Sequence, residues 1–77
     1  MNAANNDHSY LMQQYDATYD AMMAEIQKAD QLALKSISPG ATEQDVDLYQ
    51  KQRLVMLDKI QEHNAVRRSM RSAGLFG

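Results

Sequence analysis

The chain has 77 residues, 44% of them hydrophobic, with no cysteine and a net charge of −2. This allows one small domain at most, without disulfides or thiolate metal sites, and with too little mass to enclose a large core. Small chains without such staples gain stability by associating with other chains.

The first residues, Met1-Asn2-Ala3-Ala4-Asn5-Asn6-Asp7, are polar and lack the basic-then-apolar order of a cleaved signal. No apolar run approaches the roughly eighteen residues of a membrane span. The expectation is a cytoplasmic protein as synthesised, open to non-classical export or incorporation into an assembly. Residues 1–6 and 73–77 are expected to be short flexible ends of a single domain covering 1–77.

Helix one is expected at about 8–37, with Asn6 or Asp7 as its cap. At 100° per residue, Leu11, Tyr15, Met22, Ile26, Ala29, Ala33 and Ile37 form one stripe, widened by Tyr19 and Met23. Tyr10, Tyr15, Tyr19 and Tyr49 read as seam residues rather than an aromatic ligand box. Pro39 is the only proline, and Gly40 the only glycine before residue 74, so the chain is expected to reverse there.

Helix two is expected at about 43–72, opened by a capping box with Asp45 in the place more often held by Glu. Its main stripe is Val46, Tyr49, Met56, Leu57 and Ile60, with Arg53 in the middle. Leu48, Val55 and Val66 project away from that stripe, and Leu54 lies on another side. That excess apolar width suggests a partner surface, shared with Arg67, Arg68 and Arg71. The fold class is therefore all-α: an antiparallel two-helix hairpin completed by helix packing with other chains.

Residues 1–50 carry eight acids and two bases, whereas 51–77 carry two acids and six bases. Folding at Gly40 brings Asp7, Asp16 and Asp20 level with Arg67, Arg68 and Arg71, a charge match expected to help set the register. The same polarity could join neighbouring subunits.

Chemical sites are sparse. Three arginines on an acidic chain without nearby aromatics do not make a nucleic-acid surface. His63 comes level with Asp16 and Asp20, but a solvated histidine is the simpler expectation than a metal site. Asp58 and Glu62 read as part of a charged outer face. No phosphate loop or nucleophile arrangement is present, so neither catalysis nor a cofactor or metal is expected. The six methionines suit either core filling or an adaptable interface.

The outline of polar start, helix, proline-containing turn, helix and no cysteine resembles the needle subunits of type III secretion systems. Leu48-Tyr49-Gln50, followed by Asn64 to Ser69, looks like their second helix. The single proline and the arginine-bearing C-terminal end differ from that pattern. The chain also looks like the small helical-hairpin chaperones of such subunits and like short helical components of phage particles. These resemblances imply a structural or assembly subunit in a secretion needle-like or virion-type particle. The alternative is a small chaperone or adaptor that binds one helical partner.

Overall fold

The computed structural model describes residues 3–75, with side chains from residue 8 onward. Helix α1 spans Ala3–Ser36 and helix α2 spans Glu43–Ser72. They fold back as an antiparallel hairpin of 61 × 18 × 15 Å. Its radius of gyration is 17.2 Å, against about 11 Å for a compact domain of this length. A rod of this shape buries little.

Helix α1 begins five residues earlier than residue 8, so Asn6 and Asp7 lie inside the helix rather than capping it. Ala3 and Ala4 continue the helix because alanine has the highest helix propensity. The chain then reverses through Ser38-Pro39-Gly40-Ala41, where Ala41 N–H donates to Ser38 O at 3.0 Å. Gly40 has φ +86°, and proline followed by a left-handed glycine fits the central pair of a type II turn.

The expected start of α2 is present. Asp45 N–H donates to Thr42 Oγ1 at 3.2 Å, while Thr42 N–H donates to Asp45 Oδ2 at 3.0 Å. Asp45 also meets Lys35 at 3.6 Å. The Thr42 amide and the Lys35 ammonium hold the Asp45 carboxyl below its ordinary range.

The far end differs from a flexible tail through residue 75. Gly74 N–H donates to Arg71 O at 3.0 Å and Leu75 N–H to Met70 O at 2.9 Å. With Gly74 at φ +77°, this is a Schellman closure of the helix. The remaining residues expected to form flexible ends, 1, 2, 76 and 77, lie outside the described part.

The buried and half-buried positions reveal the seam. In α1 they include residues 8, 11, 15, 18, 22, 25, 29, 32 and 36; in α2 they include 45, 49, 52, 56, 59, 63, 66 and 70. Both sets alternate steps of three and four, the 3.5-residue period of a coiled-coil seam. Several occupants are polar, among them Thr18, Glu25, Gln52, Lys59 and His63. The buried residues are only Ala29, His63, Val66 and Met70 among those described.

Candidate interaction surface

Two polar crossings and the Lys35–Asp45 pair tie the helices together. Gln52 Nε2 donates to Glu25 O at 3.0 Å and to Glu25 Oε1 at 2.7 Å. That amide contact is the main reason the Glu25 carboxyl sits below its ordinary range. Farther from the turn, Thr18 Oγ1 lies 2.9 Å from His63 Nδ1. The Thr18 hydroxyl lies 2.8 Å from Gln14 O. The assignment that uses both contacts has the hydroxyl donating to Gln14 O and His63 Nδ1–H donating to Thr18 Oγ1.

His63 therefore corrects the solvated-histidine expectation, since it is only 3% exposed. Its ring packs 4.7 Å from the Tyr15 ring and 5.7 Å from the Tyr19 ring, measured between centroids. Burial, then the Arg67 charge, pushes its pKa below the ordinary value and favours the neutral ring. The histidine sits on a seam position, so the aromatic residues of α1 cover it.

The seam residues expected from the apolar stripe divide. Leu11, Tyr15, Met22, Ile26, Ala33, Tyr49, Met56 and Ile60 are half-buried, and Ala29 is buried. Ile37 is 79% exposed beyond the end of α1, and Tyr10 points outward with its hydroxyl accepting from Gln14. Val66 is a correction in the opposite sense. Placed on the partner surface by its distance from the main stripe, it is buried in the seam. A 3.5-residue seam drifts about 20° per heptad from a straight 3.6-residue projection, which displaces residue 66 after three heptads.

The remaining expected partner residues fall on different sides. Leu48 and Val55 are exposed along one flank, each immediately before a seam position. Arg67 belongs to the other flank, with Met12, Tyr19, Ile26, Ala33, Val46, Arg53 and Ile60, each immediately after a seam position. Arg71 rims that flank, whereas Arg68 lies on the side of α2 away from the seam. A cleft of about 380 Å³ opens there, lined by Tyr15, Tyr19, Met22, His63, Asn64, Arg67 and Arg71. It joins the two helices' contributions into one surface.

The expected register contacts do not form. Asp16, Asp20, Arg67, Arg68 and Arg71 make no ion pair among the described residues; the Asp7 side chain lies outside them. Register rests on the seam crossings instead. Asp58 is exposed, and Glu62 pairs with Lys59 at 3.3 Å on the outer surface. Among the described residues, no group of three or more His, Cys, Asp or Glu could hold a metal ion, and no helix is long and apolar enough to cross a membrane. The chain matches no known protein-family model, no curated protein and no solved structure.

Proposed function

We propose that this protein is a non-enzymatic structural subunit that packs as a helical hairpin into a larger protein assembly of secretion needle-like or virion type. The observation that carries this reading is the imbalance between core and surface. Among the described residues, three apolar ones are buried, while ten large apolar side chains are exposed. Isolated exposed apolar residues are ordinary, but here Met12, Tyr19, Val46 and Leu57 follow one flank of the seam across both helices, and Leu48 and Val55 lie on the other. A partner helix on the first flank would bury an apolar stripe.

The polar groups inside the hairpin also favour a structural role. Thr18, His63, Glu25 and Gln52 are committed to one another across the seam. Sedimentation of the purified chain across a concentration series tests the reading. Growth in mass with concentration is expected. A chain that stays monomeric alone but forms a one-to-one complex with a helical partner would support the chaperone or adaptor alternative.

A further inference from the structure

We infer that the flank carrying Tyr19 and Arg67 is a self-complementary interface through which two copies form a four-helix bundle, with the two-fold axis along the hairpin. This rests on the assembly reading above and specifies its repeating unit.

The charge spacing selects a second copy as the occupant. On α1, Asp16 sits between Met12 and Tyr19, and Asp30 between Ile26 and Ala33, each one turn from its neighbours. On α2, Arg53 and Arg67 belong to the same flank. The acids and the arginines are each separated by two heptads, roughly 21 Å along a helix. All four side chains are exposed, and none is in an ion pair among the described residues. Within one chain the arginines adjoin the seam while the acids lie farther around α1, so the two sets do not meet.

A two-fold axis along the hairpin changes that relation. It sets α1 of one copy against α2 of the other, antiparallel and with both turns at the same end. Asp16 then approaches Arg67 of the second copy, and Asp30 approaches its Arg53. The Thr18–His63 crossing puts each acid two residues, ~3 Å, from the level of its arginine, and the Gln52–Glu25 crossing puts it six residues, ~9 Å, away, offsets that the long arginine side chains span in part. Side chains tilt toward their own helix N-terminus. On antiparallel helices those tilts move each acid and its arginine toward one another. The symmetry doubles every contact, as an isologous interface requires.

Apolar area lies between the charges and just beyond them. Met12 and Tyr19 are exposed on α1, as are Val46 and Leu57 on α2, with Met23 and Ile60 half-buried beside them. A face of a 61 × 18 Å hairpin offers on the order of 1,000 Å², comparable to the ~800 Å² per partner of a standard interface. The result is an up-down-up-down bundle with antiparallel neighbours.

Charge-swapped chains test the pairing by sedimentation equilibrium at low salt, with circular dichroism monitoring helix content. D16R/D30R places like charges across the homodimer, and R53E/R67E does the same with the opposite sign. Each is expected to retain its helicity and dimerise at least tenfold more weakly than wild type. An equimolar mixture should recover the dimer, because both charge sets are again opposite across the heterodimer. If the swaps leave association unchanged, or the mixture associates no better than its components, this interface is overturned while a self-associating wild type still supports the assembly reading. A wild type that remains monomeric throughout overturns the dimer and removes support for self-assembly as well.

Discussion

His63 shows how one side chain can hold a hairpin together and make it sensitive to acid. Its neutral ring uses the Thr18 oxygen and packs against Tyr15 and Tyr19. The pKa is lower in the folded chain than its ordinary value of 6.5, so the unfolded chain binds the proton first as pH falls. Stability from the neutral histidine is therefore complete above the ordinary value and is lost on acidification toward the depressed one. Melting temperature should fall as the pH drops below the ordinary histidine value of 6.5, and H63F should flatten that part of the profile. An unchanged profile would assign the acid sensitivity elsewhere. Glu25 and Asp45 act in a more acidic window, because their folded values lie below the carboxylate range. Val66 provides a separate test of the seam. V66D should lose cooperative melting, at a cost of several kcal/mol for an uncompensated buried charge, whereas L54D should melt close to wild type because Leu54 is 69% exposed. Equal melting temperatures for these variants would contradict the burial difference.

The helices depend on their punctuation. Thr42 occupies both parts of the capping box with Asp45, so T42A should lower stability by about 1 kcal/mol, measured by denaturant midpoint. Gly40 holds φ +86° with open space around its missing Cβ. G40V should therefore cost about 1–2 kcal/mol through backbone conformation rather than collision. A neutral G40V would mean that the reversal tolerates another backbone path. The start of α2 and its cap followed from Thr42-Glu43-Gln44-Asp45 alone, since capping is a local interaction. The early start of α1 and the Schellman closure around Gly74 were harder to anticipate, because asparagines and a Ser-Ala-Gly sequence also suit irregular chain.

The full hairpin places distant parts of the sequence side by side. Spin labels at Asp20 and Gln61 should report a separation near 10–20 Å, as adjacent helices pack 8–10 Å apart and the labels add their own length. Values near the ~60 Å of one continuous helix would eliminate the antiparallel fold. The shape leaves both flanks of the seam accessible, with Leu48 and Val55 on one and Tyr19, Arg53 and Arg67 on the other. One helix cannot cover the apolar width of its neighbour, so the outer surface is where association can add buried area.

Two helices and their reversal were determined by residues close together in the chain: apolar periodicity, the Pro39-Gly40 pair and the Thr42 cap. The seam was decided in three dimensions. Its polar members, Thr18, Glu25, Gln52 and His63, carry no apolar signal and become identifiable only when their partners stand opposite. Val66 moves from the imagined surface into the core because a 3.5-residue seam departs progressively from a straight 3.6-residue projection. The side on which Arg67 joins Tyr19, rather than Leu48 and Val55, follows from the same rotation. Local chemistry specified the elements, while long-range packing specified which of their faces meet.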